Sequence, residues 1–216
     1  MHEATGKHIV VGVIALIAVL LAAIVYGGAA LAGEAEGAPE PKATLGQEMP
    51  GFTLNDSAGE RYSLDSLRGK IVVLAFTSQK CPYSREGDTR LPGLAKEYQP
   101  KGVVFLSIDS HKDTTPEEMA EYANGDNKTG EKLPYPILKD KDNTYADAVG
   151  AKQTPELYIV DKEGVLVYHG GLDNQKKPDD EGYVNYVKPA LDELLSGKPV
   201  SNPRTSAYGC SIKRIG

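Results

Sequence analysis

The sequence holds two cysteines, Cys81 and Cys210, and a cysteine does chemistry when its thiol ionises. Cys81 closely follows Ile71 to Phe76, a continuous apolar run rich in β-branched residues. Such a run is the mark of a strand buried on both faces. Pro82 comes next, and proline is favoured in the first turn of a helix. The pattern therefore puts Cys81 where a helix begins. Unpaired backbone N–H groups and the positive end of the helix dipole stabilise a thiolate there. Such placement can lower a thiol pKa from about 8.5 into a range of roughly 3.5–7.5. Lys80 and Arg85 would add positive charge if their side chains turn toward the sulfur. A thiolate attacks a disulfide sulfur or a peroxide oxygen. The competing reading is a small buried hydrophobe or an inert half-cystine.

Cys210 admits three readings. It resolves a species formed on Cys81, it forms a static disulfide with Cys81, or it is a free or intermolecular thiol on a mobile tail. A static bond would close a long loop worth up to about 5 kcal/mol in the chain-entropy model. Two cysteines are too few for a disulfide-stapled scaffold or an all-cysteine zinc site. Ser78 and Ser84 flank Cys81 and are candidates for hydrogen bonding to a thiolate or its substrate. Ser84 is equally suited to capping a helix end. Asp109, His111, His169 and Asp173 follow or end apolar runs and could line the same end of a sheet. A lone exposed histidine is the default for each of the two imidazoles. No cofactor and no metal are expected.

The elements that would position these residues are legible in outline. Phe52 to Leu54 and Arg61 to Leu64 flank a Gly-containing turn and read as two short strands, with Ser63 opening a helical turn to Leu67. Pro82 to Tyr98 has helical spacing, with Leu91, Leu94, Ala95 and Tyr98 on one side and a kink or break expected at Pro92. Val103 to Ile108 is a second buried strand, and Pro116 opens another helix. Asn124 to Lys132 is a polar loop, and Thr144 to Val149 a short helix. Leu157 to Val160 and Val165 to Tyr168 form a hairpin around Asp161 to Gly164. Tyr183 to Leu195 is an amphipathic helix with a kink expected at Pro189. The tail from Ser196 onward reads as irregular. This alternation implies an α/β fold with a central mixed β-sheet flanked by helices on both faces.

The ends of the chain bear on location. Ile9 to Val25 is apolar and uncharged, with small residues continuing to Ala32. That is long for a signal-peptide core and normal for a membrane anchor. Residues 1–32 are expected to be a signal peptide or anchor, with Ala30-Leu31-Ala32 fitting a cleavage site. Residues 33–43, rich in Ala, Gly, Glu and Pro, read as a flexible linker. The domain is expected over 44–196 and the tail over 197–216. The folded part is thus expected outside the cytoplasm, in the periplasm or cell envelope. Net charge is −6 and no basic stripe appears, which argues against a nucleic-acid partner.

Four segments together resemble a known group. They are Gly46 to Leu54, Gly69 to Phe76, Cys81-Pro82-Tyr83-Ser84 and Thr154-Pro155-Glu156. In that order they are similar to the redoxin branch of the thioredoxin superfamily. It contains peroxiredoxins of the alkyl hydroperoxide reductase/thiol-specific antioxidant type and membrane-tethered thiol-disulfide oxidoreductases. Gly209-Cys210-Ser211-Ile212-Lys213 further resembles the end of uncharacterised peroxiredoxin-like members. The resemblance implies a thioredoxin-like fold with an N-terminal β-hairpin extension. It also implies a cis Thr154–Pro155 bond opposite the nucleophile, with Pro82, Thr154 and Pro155 meeting a substrate. Against the family's patterns, Ser84 stands where a thioredoxin carries its second cysteine. Ala75 stands where a thioredoxin-type enzyme has a buried acid. Ser78 fits the hydroxyl position of the peroxiredoxin motif, but Leu74 replaces its proline. The paired cysteines of related copper chaperones are missing.

Three functions remain open at this point. One is a thiol-disulfide oxidoreductase with Cys81 as nucleophile, resolved by Cys210 or an external thiol. Another is a thiol peroxidase. The third is a non-catalytic binding module with a structural disulfide. Expected partners are a protein disulfide or a peroxide, an external thiol reductant, and the membrane through an uncleaved N-terminal segment.

Overall fold

The computed structural model describes residues 42–215. The expected signal or anchor segment and nearly all of the expected linker lie outside the described residues. Among the described residues, no helix is long and apolar enough to cross a membrane.

Seven strands form one mixed sheet, built around β3 (Val72–Thr77) and β4 (Val104–Asp109), which pair in parallel. β5 (Ile137–Lys139) continues the parallel set beside β4. The N-terminal hairpin, β1 (Thr53–Asp56) and β2 (Arg61–Ser63), joins antiparallel to β5. On the other side β7 (Glu156–Val160) and β8 (Leu166–Gly170) run as the expected hairpin, with β7 antiparallel to β3. The order across the sheet is β2-β1-β5-β4-β3-β7-β8. A separate two-stranded ladder pairs β6 (Gln153–Thr154) with β9 (Cys210–Ser211).

Side chains of β3 alternate between two cores, as a period of two requires. Val73 and Ala75 join the cluster under α2 (Leu91–Tyr98), α3 (Pro116–Ala123) and α5 (Val187–Leu195). Val72, Leu74 and Phe76 join the opposite cluster, with α4 (Thr144–Val149), Met49 and Phe52. All five of these β3 side chains are buried, so the strand reads as continuously apolar.

Three expectations need adjustment. The helical stretch after Cys81 is two helices, α1 (Pro82–Gly87) and α2, broken at Asp88 to Arg90 rather than at Pro92. Pro92 lies in the first turn of α2, where its missing N–H leaves no bond unmade. The last helix begins at Val187, so Pro189 also lies in a first turn and demands no kink. The tail holds a strand, because its backbone pairs with a distant loop, a partner no local pattern discloses.

Candidate active site

Thr77 ends β3, and the chain turns through Ser78 to Lys80 before Cys81 opens α1. Ser78 builds the turn. Its carbonyl accepts the Cys81 N–H at 2.9 Å, its hydroxyl accepts the Lys80 N–H at 3.2 Å, and its N–H donates to the Ser84 hydroxyl at 3.2 Å. Ser78 and Ser84 are both buried. Cys81 is the N-cap of α1 in extended backbone geometry, with Pro82 in the first turn. Its side chain is only 2% exposed.

The sulfur lies against the Thr154–Pro155 loop. The peptide bond there is cis, and the Cys81 thiol donates to the Thr154 carbonyl at 3.0 Å. Cys210 sits opposite Thr154 in the β6–β9 ladder, within hydrogen-bonding reach of Cys81. Both cysteines are thiols. A cavity of about 160 Å³ opens beside them, lined by Ser78, Lys80, His111, Thr154 and Lys213.

The two thiols differ in acidity. For Cys81, burial opposes ionisation most strongly, yet the net pKa falls. Hydrogen bonding with the Cys210 and Thr154 side chains, and then with the backbone of Ser84 and Cys210, outweighs burial, while the Thr154 hydroxyl itself donates to the Cys210 carbonyl at 3.5 Å. For Cys210, burial and then the neighbouring Cys81 sulfur push the thiol up to about 11. Of the coupled pair, Cys81 is therefore the sulfur that ionises first and Cys210 the one that holds its proton longer.

The cations expected at the sulfur are bonded to other groups. The Lys80 ammonium bonds the Asp113 carbonyl at 2.8 Å and pairs with Glu118 at 3.1 Å. Arg85 lies over the Tyr122 ring and bonds the Asp126 carbonyl at 3.3 Å. The Ser84 hydroxyl accepts the Ser78 N–H, and it is the Ser84 backbone that helps lower the Cys81 pKa. Of the four candidate polar residues, His111 lines the cavity beside Cys81. Asp109 pairs with Lys139 at 3.2 Å beneath it. His169 instead faces Glu156 at 2.6 Å and stacks on Tyr158. Asp173 pairs with Arg90 at 2.5 Å. Among the described residues, no three His, Cys, Asp or Glu side chains are grouped to hold a metal ion.

Two contributors were not foreseen. Glu156, buried directly after Pro155, accepts the N–H groups of Lys152 at 2.7 Å and Gln153 at 2.9 Å, and the Tyr158 hydroxyl at 3.0 Å. It thus anchors the backbone leading into β6. Tyr83 and Tyr208 form an edge-to-face pair at 5.1 Å near the two thiols. Only the adjacency of Tyr83 to Cys81 and of Tyr208 to Cys210 hints at this in the sequence. A larger cavity, about 920 Å³, lies against β1, β5 and α4 and shares no lining residue with the thiol cavity.

Comparison with known proteins bears on this geometry. The model of the AhpC/TSA family matches residues 45–169. Thiol-disulfide oxidoreductase ResA of Bacillus thuringiensis (strain Al Hakam) is 28% identical over 152 residues, covering 70% of this chain and 83% of its own length. A crystal structure of an uncharacterized conserved protein from Geobacillus kaustophilus superposes with a TM-score of 0.71 at 32% identity, covering 80% of this chain and 93% of that one. A hypothetical protein from Sinorhizobium meliloti 1021 gives a TM-score of 0.70 at 29% identity, covering 82% and 97%.

Proposed function

The chain belongs to the AhpC/TSA family, and from that premise we propose a thiol-disulfide oxidoreductase that uses Cys81 as nucleophile and Cys210 as resolving thiol. The observation that carries the reading is the Cys81–Cys210 pair, one thiol made more acidic and the other less, beside the Thr154 carbonyl. The likeness to ResA supports disulfide chemistry.

In the proposed cycle the Cys81 thiolate attacks one sulfur of a substrate disulfide. A Cys81–substrate disulfide forms, and the other substrate sulfur leaves as a thiolate that takes up a proton. Cys210 then loses its proton and attacks the Cys81 sulfur, forming the Cys81–Cys210 disulfide and releasing the second substrate thiolate. The substrate gains two electrons and the protein loses two. An external thiol reductant resets the pair. Cys210 thereby takes the place of the second cysteine that Ser84 cannot supply. Ser78 and Ser84 shape the turn and the thiolate's backbone donors, and Pro82, Thr154 and Pro155 border the approach to Cys81. We further propose that the domain works outside the cytoplasm, delivered by the apolar run of residues 9–25, where disulfide chemistry is permitted.

The test is a pair of serine variants assayed against a disulfide-bearing polypeptide with a thiol reductant. Cys81→Ser is expected to keep its fold and lose all reductase activity. Cys210→Ser is expected to trap the mixed disulfide, visible as a mass increase equal to the substrate thiol. Reductase activity retained in Cys81→Ser would refute the assignment. Stoichiometric consumption of hydrogen peroxide by the reduced protein, without disulfide reduction, would favour the peroxidase instead.

A further inference from the structure

The segment Pro203 to Ile215 is a strap whose fixed points lie on both sides of Cys210. Before it, the Pro203 carbonyl accepts the His169 N–H at 2.9 Å, and the Thr205 N–H donates to the His169 carbonyl at 3.2 Å. After it, the Ile212 N–H donates to the Lys152 carbonyl at 3.0 Å, and Ile212 itself is 7% exposed in the core beneath β6. Arg214 bonds Asp147 and the Ala151 carbonyl, each at 2.6 Å. The Ile215 N–H donates to the Asn143 side chain at 2.9 Å. Between these points β9 runs antiparallel to β6, placing Cys210 opposite Thr154 and Ser211 opposite Gln153. A Cβ at Gly209 would overlap the Thr154 carbonyl oxygen, so only glycine lets the strap lie this close.

The edge of β6 beside Cys81 is therefore filled by the chain itself. An extended polypeptide whose disulfide is to meet the Cys81 sulfur needs the same edge, since adding a strand is how an extended chain docks on unpaired backbone. Cys81, at 2% exposure, is covered while the strap is down.

We propose that β9 and a polypeptide substrate compete for the β6 edge. The strap must leave for the substrate to pair and the Cys81–substrate disulfide to form. Its return then displaces the substrate strand and brings the Cys210 sulfur onto Cys81. Substrate ejection and resolution become one movement. This rests on the oxidoreductase reading and adds an order of events to it.

The distinguishing signature is a pair of opposite rate changes. Deleting residues 212–216 removes the Ile212 and Arg214 anchors but keeps Cys210, and Arg214→Ala removes the Asp147 and Ala151 contacts alone. With insulin as the polypeptide disulfide and single turnovers followed by acid quench and mass spectrometry, the deletion is expected to raise mixed-disulfide formation roughly tenfold. It is expected to slow its resolution by a similar factor. Arg214→Ala should move both rates the same way by less. Amide exchange over 207–211 reports strap release in the same samples. Faster exchange with formation unchanged or slower, or with resolution undiminished, overturns the proposal. So does exchange unchanged in both variants. Absence of any Cys81-dependent mixed disulfide in the parent protein would instead remove the oxidoreductase reading.

Discussion

At the scale of single residues, hydrogen bonds rather than a paired cation lower the Cys81 pKa, although Lys80 and Lys213 line its cavity. Lys80 and Arg85 are adjacent in sequence but bonded to other partners, so the thiolate relies on neutral hydrogen-bond donors. Their contributions are ordered, with the Cys210 side chain ahead of the Thr154 side chain. Removing either should raise the midpoint of Cys81 alkylation against pH, more for Cys210→Ala than for Thr154→Val. Equal midpoints in all three proteins would show that the backbone alone holds the thiolate. The linkage to stability has a definite sign. A pKa lowered by folding contributes stability that is full above the unfolded value, about 8.5, and is lost as pH falls through the folded value. In reducing buffer, the stability advantage of the parent over Cys81→Ser should thus grow as pH rises toward 8.5 in denaturant titrations. Cys210 works in the opposite sense, its contribution waning as pH climbs toward about 11.

Among the elements, the two-residue strand β6 is the one on which the site depends. It is too short to hold itself, so it is pinned from two directions. Glu156 gathers the Lys152 and Gln153 amides from below, and β9 pairs with it from above. Losing the acceptor leaves the buried Tyr158 hydroxyl and the part-buried Lys152 and Gln153 amides unpaired, at roughly 1–3 kcal/mol for a fully buried group and less for the others. Glu156→Leu should therefore cost about 3 kcal/mol in chemical denaturation and speed amide exchange at Lys152 and Gln153, with Glu156→Gln costing less. Gly209→Ala is expected to act on the other side. Its Cβ forces the strap off the Thr154 carbonyl, with a cost of about 1–3 kcal/mol for overpacking. Iodoacetamide should then label Cys81 faster than in the parent. An unchanged labelling rate would mean that the strap does not shield the thiol.

For the molecule as a whole, the sheet separates two duties. Its centre, β3 flanked by β4 and β7, is buried on both faces and sets stability. Leu74→Ala there should cost about 2–5 kcal/mol, measured by denaturant unfolding, without moving the alkylation midpoint of Cys81. The site sits where β3 ends and gives way to α1, so its parts come from segments distant in sequence, the β3–α1 turn, the β6 loop and the tail. With a rigid centre and the site on connecting segments, the proposed strap exchange withdraws only Ile212 from the core.

What the residues decided without help from the fold was the β3–Cys81–Pro82 junction, the hairpin of β7 and β8, and the α/β alternation. Each is written in local terms, an apolar run, a proline in a first turn, a Gly-containing turn. β5 was not legible, because three residues after Pro136 carry too little periodicity to register. For Cys210 the residues left three readings open, two of them at Cys81, and its strand was not legible. The tail carries no pattern of its own, and its strand exists only because Gly209 fits against Thr154 and Ile212 finds a core. The directions of Lys80 and Arg85 were likewise set by Asp113, Glu118, Tyr122 and Asp126, partners remote in the chain. Local sequence fixes where a thiol is carried. Which donors face it, and what covers it, depends on backbone segments that only the folded chain brings within bonding distance.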